Sequence, residues 1–462
     1  MKFPVMKQAR NSLYRIFPGL FPLPKEYYNW YGFINTSQWW DEKQLKEYQW
    51  KKMKEMLAFC NQNIPYYQRV FRNMGIIPDD IMTEDDFQKI PFLTKDILGK
   101  HTEELLPIGI NRSKLIKYNT GGSTGMPLII YKTNIDDTIE KAFTNSQWAR
   151  VGFEPKDIRV ILRGEVIEKN KLWKYDPTYN SWIFSSYHLS KEFITQMVNK
   201  LNNIKPKFLH VYPSSLWVFA NLIIENNLKL HFIPKAILCG SEKLFDHQRK
   251  LFSEVFGCRC FNSLALAEQT IHAGECEYSN DLHIFPQHSY IELVDDAGKI
   301  ITEPGITGHI VGSNLHKYSF PLIRYLSGDM AQYAKGPCKC GRHFQRFSQV
   351  EGRVQHMIVS RDGRIIPLTA LVFGQHLQAF NKVEKMQLEQ WHPGEVNVKL
   401  IKGTNFNAED VQILIQQLTS ASENTILFSV SFHDELERTS AGKHKFLLQH
   451  LPINYYNFDQ NS

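Results

Sequence analysis

No apolar run in this sequence approaches the length needed to cross a bilayer. The opening residues do not form a secretory signal either, because Pro4, Lys7 and Arg10 interrupt any apolar core. Cysteine is too scarce for a disulfide framework. Seven residues, an odd number in a chain of 462, fit free thiols or metal ligands in a reducing compartment. These absences predict a cytoplasmic protein. Charge is modest as well: 22% of residues are charged and the net charge is +7. With no basic recognition helix and no aromatic-spaced basic motif, nucleic acid is excluded as the expected partner. A mildly basic surface suits phosphate-bearing small molecules. Acids are missing from residues 1–25, where Lys2, Lys7, Arg10, Arg15 and Lys25 interleave with Phe3, Leu13, Ile16, Phe17, Leu20 and Phe21. Such a segment can lie on an anionic membrane surface as a weak peripheral contact, or pack as an arm on its own domain. Pro18, Pro22 and Pro24 cut a helix short and favour the arm.

A lysine is missing too, and its absence is informative. Tyr118-Asn119-Thr120-Gly121-Gly122-Ser123-Thr124-Gly125-Met126-Pro127 places three glycines and three hydroxyl residues between Thr120 and Gly125. Backbone N–H groups in such a turn form a concave anion site. A P-loop needs Gly-Lys-Ser/Thr opening a helix, and here no lysine follows the glycines. Apolar runs flank the loop on both sides, at Lys114–Tyr118 and Leu128–Tyr131. The pattern is strand, loop, strand. It is either a phosphate cradle unlike a Walker site or a glycine-rich hairpin without a ligand.

What is present is apolar and aromatic. Hydrophobic residues make up 43% and aromatics 13%, enough for large cores. A chain of this length exceeds one compact core, so two or more domains are expected. Helical stripes are read at 41–61, 136–151, 191–203, 214–227 and 245–256. Strands are read at 158–162, 208–212, 236–239 and 259–261. The alternation predicts a doubly wound α/β core whose ligands bind at the carboxyl ends of the strands. Tyr212-Pro213-Ser214-Ser215 and Gly240-Ser241-Glu242 fall there. Short strands at 290–294, 309–313 and 322–325 predict a β subdomain. The last segment reads as strands 385–390 and 396–401, helix 408–418 and strand 426–432. A hinge is placed near Gly352-Arg353.

The loop, Glu268, Arg324-Tyr325-Leu326-Ser327-Gly328-Asp329, Gly352-Arg353 and Ala441-Gly442-Lys443 follow one another in a fixed order. That order resembles the adenylate-forming superfamily of acyl-CoA synthetases and adenylation domains. Within it the sequence is most similar to the phenylacetate–CoA ligase branch and its CapK-type ligases of capsular polysaccharide biosynthesis. The resemblance also takes in Ile64-Pro65-Tyr66-Tyr67, Leu93-Thr94-Lys95 and Tyr212–Ser215. It implies an α/β adenylate-forming ligase fold. A large N-terminal domain, residues 1–352, would carry the β subdomain, and a small mobile α+β domain, 353–462, would carry the catalytic lysine. It implies an ATP-dependent ligase that makes an acyl-adenylate from a carboxylic acid. The acyl group then goes to CoA, or to an amine or hydroxyl of a polysaccharide precursor. Thr120, Gly121, Gly122, Ser123, Thr124 and Gly125 would hold phosphates, Glu268 Mg²⁺, and Asp329 the ribose. Gly240, Ser241 and Glu242 would pass the adenine, and Arg353 would join the ATP site. Lys443 would swing in about Gln355. The resemblance leaves monomer and homodimer open.

The sequence departs from that pattern at Leu264-Ala265-Leu266-Ala267, where the family has Tyr-Gly-x-Ser/Thr before the metal-binding acid. The acid expected after Gly352-Arg353 is replaced by Gln355-His356. A non-catalytic binding protein on a degenerate ligase fold therefore stands as the alternative. Cys276, His283, Cys338 and Cys340 supply a Cys₃His set, which suits a closed tetrahedral zinc site, and the resemblance implies zinc here in some relatives of this branch. The other reading is four unrelated residues. Cys258 and Cys260 are read as core residues sharing one face of a strand. His433-Asp434 and His188 are read as structural, with Tyr187-His188 placed beside the acyl pocket by position.

Overall fold

The computed structural model describes residues 23–120, 128–163, 171–185, 191–353, 357–362, 365–367, 383–403, 406–422, 424–438 and 445–451, with 167 and 189. Most of the basic N-terminal segment, residues 121–127, Tyr187, His188, Gln355 and Lys443 lie outside them.

An N-terminal helical layer comes first. Asp41 caps the helix Glu42–Asn63 by accepting from Gln44 N at 2.8 Å. Ile64 ends that helix, and Pro65, which needs no N–H partner, opens Pro65–Met74. Met53, Met56, Tyr67 and Phe71 turn inward against Leu93, Leu322 and Tyr325.

The helices at 134–149, 194–204, 213–225 and 246–256 alternate with strands. Their six-stranded sheet has the spatial order Trp173–Asp176, Ser181–Phe184, Arg159–Leu162, Phe208–Val211, Ala236–Cys239, Cys260–Phe261. It is parallel except at the first pair, as strands buried under helices on a doubly wound sheet should be. Val160, Leu209 and Ile237 pack with Phe219 and Phe252 of the covering helices.

The β subdomain is larger than its sequence pattern suggests. Seven antiparallel strands run in the order Ser289–Val294, Thr307–Asn314, Tyr325–Tyr333, Arg346–Arg353, Leu282–Ile284, His272–Gly274, Ser263–Ala265. The strand expected at 322–325 instead begins at Tyr325 and runs to Tyr333. Pro321 and the left-handed Arg324 (φ 50°) keep the preceding residues off the ladder. Leu322 N donates there to the Asn314 side chain at 3.2 Å. Arg324 is a clamp. Its Nε and one terminal nitrogen donate to the two carboxylate oxygens of Glu292, each at 3.0 Å. Its other terminal nitrogen donates to the Gln88 and Ile90 carbonyls. Leu93 then pairs with Tyr325 as an isolated parallel bridge. The N-terminal layer is thus fastened to the sheet.

The C-terminal residues form a four-stranded sheet, Leu427–Phe432, Glu395–Lys402, Val383–His392, Leu447–Gln449. Leu414 and Leu418 of the helix Ala408–Ala421 cover it over Met386, Leu388, Val398 and Leu400. Among the described residues no helix is long and apolar enough to cross a membrane. One sequence expectation needs correction: only Cys260 lies in a strand, and Cys258 sits in the bend before it. Both still pack against the same core, with Cys258 half-buried.

Candidate functional site

The glycine-rich segment joins two antiparallel strands, Ile116–Thr120 and Leu128–Lys132, which pair in register from Ile116↔Lys132 to Thr120↔Leu128. Thr120 closes the first strand, and Gly121 to Gly125 lie outside the described residues. Directly after the second strand Thr133 caps the helix Asn134–Ala149. The carboxylate of Asp136 accepts from the Thr133 hydroxyl at 2.7 Å and from Ser319 Oγ at 2.6 Å.

Glu268 follows the short strand Ser263–Ala265 and is buried at 4% exposure. The Tyr325 hydroxyl donates to Oε1 at 3.1 Å. Oε2 is buried with no hydrogen-bond partner. A carboxylate oxygen left bare in a protein interior costs several kcal/mol, on the order of the desolvation of a charged group, unless a cation takes it up. The oxygen-rich chemistry of this acid fits a hard divalent ion that keeps its remaining ligands from water and phosphate. Lys317, which sequence reading passed over, is wholly buried beside it, and its ammonium donates to the Glu268 carbonyl at 3.4 Å. Burial pushes Lys317 down to about 8, opposed by Asp136, Glu268 and Glu140.

At the carboxyl ends of the parallel strands the structure gathers a second set. Gly240 and Ser241 directly follow Ala236–Cys239, and a Cβ at Gly240 would meet Ser263 Oγ at 2.9 Å, so only glycine fits without a shift. Arg163, the residue after Arg159–Leu162, donates to Ser241 Oγ at 2.8 Å and contacts His210 Nε2 at 2.9 Å. Its guanidinium stands 4.8 Å from the Tyr212 ring, and its Nε has no partner. His210 is pushed well below its usual range by burial, then by Arg163 and Arg159, so it accepts from Arg163. The strand-end rule named Tyr212 and Gly240–Glu242 and would have named Arg163 had it been applied to the first strand.

Asp329 is buried in Tyr325–Tyr333, pairs with Arg353 across the ladder, and its N–H donates to Ser327 Oγ at 3.1 Å. Leu264 is half-buried against the sheet core, and Ala267 is exposed. Neither presents an aromatic ring or hydroxyl, as the sequence foretold.

The four residues of the Cys₃His set do meet. Their ligand atoms lie within 4.8 Å of one another. Cys276 Sγ is 3.7 Å from Cys338 Sγ, and Cys340 Sγ is 3.3 Å from His283 Nε2. A tetrahedral zinc with Zn–S of about 2.3 Å spaces its sulfurs roughly 3.8 Å apart. The backbone N–H groups of Tyr278 and Ser279 both donate to Cys276 Sγ at 3.3 Å. His283 Nδ1 faces the Asp281 carbonyl at 3.2 Å, which leaves Nε2 as the ligand atom. Burial pushes His283 down to about 3, so it stays neutral, as a ligand must. Arg150 lies alongside, half-buried, with Nε and one terminal nitrogen buried and without a hydrogen-bond partner. Burial, and then Arg342, push Arg150 down to about 9, opposed by Cys276, Glu277 and Cys340.

Comparisons with known proteins agree with this architecture. Residues 358–450 match the CapK C-terminal domain. Over 418 residues the chain is 24% identical to protein CapK of Staphylococcus aureus, spanning 88% of this chain and 90% of that one. It is 24% identical over 339 residues to the phenylacetate–coenzyme A ligase of Thermus thermophilus, spanning 70% and 74%. Among solved structures, 2-hydroxyisobutyryl-CoA ligase in the postadenylation state aligns with a TM-score of 0.72 at 16% identity, over 90% of this chain and 91% of that one. The fold is that of an adenylate-forming ligase, and the likeness read from the motifs, to the CapK and phenylacetate–CoA ligase branch, is borne out.

Proposed function

We propose that the chain is an ATP-dependent, AMP-forming acid ligase. A carboxylate oxygen attacks the α-phosphorus of ATP, the bond to the bridging oxygen breaks, and pyrophosphate leaves. A thiol, that of CoA, then attacks the acyl carbon. The bond to the AMP oxygen breaks, and the thiol proton passes to solvent. The observation that carries the reading is Glu268, whose buried Oε2 lacks a partner beside Lys317 and within one fold with the strand-end set.

In this reading Glu268 holds Mg²⁺, which supplies charge neutralisation on the phosphates. Thr120 and the glycines after it cradle phosphate, and Asp329 takes the ribose hydroxyls. Gly240, Ser241 and Glu242 line the adenine, with Arg353 close to Asp329 along the ladder. Lys443 neutralises the α-phosphate in the transition state. Gln355 is the hinge between a large domain ending at 352 and a small one. The separate core around Leu388, Val398 and Leu418 supports that division. Cys276, His283, Cys338 and Cys340 hold a structural zinc, whose sulfur spacing and neutral histidine fit it. An amine or hydroxyl of a polysaccharide precursor is the alternative acceptor to CoA, a reading that rests on the resemblance of the motifs to CapK-type ligases.

ATP–pyrophosphate exchange across a panel of acids, with and without CoA, tests the reading. Exchange with at least one acid is expected, and Glu268→Gln or Lys443→Ala should lower it ~100-fold or more. A protein that binds no ATP by calorimetry would be the non-catalytic alternative, with Leu264 and Ala267 as its cause.

A further inference from the structure

A second polar cluster lies between the helix Asn134–Ala149 and the β subdomain. Glu140 reaches from the helix to His272, which opens the strand His272–Gly274, and to His288 in the turn before Ser289–Val294. Glu140 Oε1 is 2.8 Å from His272 Nδ1, and Oε2 is 2.9 Å from His288 Nε2. Both rings are buried, while the Glu140 side chain keeps 21% exposure and so offers a route in from solvent.

The outer nitrogens of both rings are also engaged. His272 Nε2 faces Gln147 Oε1 at 3.1 Å, and His288 Nδ1 faces Ser289 Oγ at 3.2 Å. Gln147 turns its amide nitrogen to the Asn262 carbonyl at 3.5 Å, which fixes its oxygen toward His272. Gly274 makes this approach possible, since a Cβ there would sit 1.9 Å from the Gln147 amide nitrogen. His272 therefore has an oxygen acceptor at each nitrogen, and a neutral imidazole carries one proton. With Nε2–H donating to Gln147, the Nδ1 lone pair points at a carboxylate oxygen. A positive particle has to lie between them, either an extra proton or a metal ion.

His316 supplies an independent sign. It is buried, neither of its nitrogens has a partner, and its ring centroid lies 4.8 Å from that of His288. Phe143 stacks on it at 5.4 Å and holds the ring in place. Metal-ligating histidines characteristically engage their second nitrogen with an oxygen acceptor, as His272 does with Gln147 and His288 with Ser289.

We propose that Glu140, His272 and His288, with His316 beside them, form a metal site distinct from the cysteine cluster, selective for a divalent first-row transition ion such as Zn²⁺. Two imidazoles and a carboxylate suit that class better than Mg²⁺ or Ca²⁺. The ion pins the helix that follows the glycine hairpin to the strand that follows Glu268. The inference does not rest on the proposed ligase activity.

Cobalt titration of the chelator-stripped full chain tests it, followed by optical absorption. A thiolate site gives intense near-ultraviolet charge-transfer absorption, whereas a His/Glu site gives only weak visible bands. The expected result is an equivalent of Co²⁺ bound without thiolate absorption. Glu140→Gln and His288→Asn should each abolish that equivalent and leave the thiolate band intact, which also reports a folded protein. If the wild-type chain binds no thiolate-free equivalent, the proposal is overturned and a shared proton holds the cluster. Should both variants fail to fold, zinc X-ray absorption on the wild-type protein decides. A component ligated by nitrogen and oxygen alone supports the site, and a purely sulfur-rich shell refutes it.

Discussion

Two buried polar clusters sit at either end of one short strand. His272 opens His272–Gly274 and belongs to the histidine cluster, while Cys276 lies two residues beyond the strand and belongs to the cysteine cluster. They are built in different ways. The cysteine cluster gathers its three sulfurs from loops and a turn, with backbone N–H groups of Tyr278 and Ser279 aimed at one of them, and takes only His283 from a strand. It is ringed by cations: Arg150 has unpartnered nitrogens beside it, and Arg342 is ion-paired to Glu277. The histidine cluster takes one group from a helix, one from a strand and one from a turn, around a single carboxylate. Turn ligands arrive with their backbone already shaped for a metal. Helix and sheet ligands arrive only when the two layers have packed. The first cluster should therefore act as a staple on local structure, and the second as a sensor of how the layers meet.

Removing a member of each cluster measures that difference. Cys276→Ser is expected to lower unfolding free energy by ~3–5 kcal/mol in urea, because it opens the metal site and removes one of the sulfurs facing Arg150. A loss under ~1 kcal/mol would place the four residues among incidental neighbours. Glu268→Gln lies outside both clusters and should separate catalysis from stability. Pyrophosphate exchange falls by ~3 kcal/mol of transition-state stabilisation, while the urea midpoint stays nearly fixed. A large midpoint shift would make Glu268 a structural acid. Gly274→Ala drives a Cβ into Gln147 and should cost ~1–3 kcal/mol. It should also weaken cobalt binding at the histidine cluster and spare the thiolate band. Loss of both together would mean the strand transmits one cluster's state to the other. The smallest effect is expected of Thr133→Ala. It removes the cap of the helix carrying Glu140 and should cost ~1 kcal/mol with neither metal equivalent lost.

The same contrast explains what could be read from the letters. Cys338-Lys339-Cys340 announces itself because ligands on a turn are close in sequence, and the structure brings all four cysteine-cluster residues together. Glu140 and His272 are 132 residues apart, and no spacing rule links them. Helices and parallel strands of the α/β core were legible because apolar periodicity is a local signal, as at Arg159–Leu162 and Ala236–Cys239. The short strands Leu282–Ile284 and His272–Gly274 were not, since three residues carry no period. Arg163 and Lys317 escaped for a related reason. Their roles come from burial and from neighbours in other strands, and a lone basic residue looks solvated in sequence.

The Arg324 clamp bears on how the chain is made. Arg324 closes on the carbonyls of Gln88 and Ile90 across 236 and 234 residues of sequence. A ribosome adding about 5–20 residues per second needs roughly 12–47 s to cover that distance. For that interval the N-terminal helices exist without the strand that fastens them. Leu93, whose backbone finds its partner only in Tyr325 and its neighbours, stays an open edge on the nascent chain. The clamp that fastens the finished N-terminal layer to the β subdomain leaves that layer with only its own helical packing until the subdomain emerges.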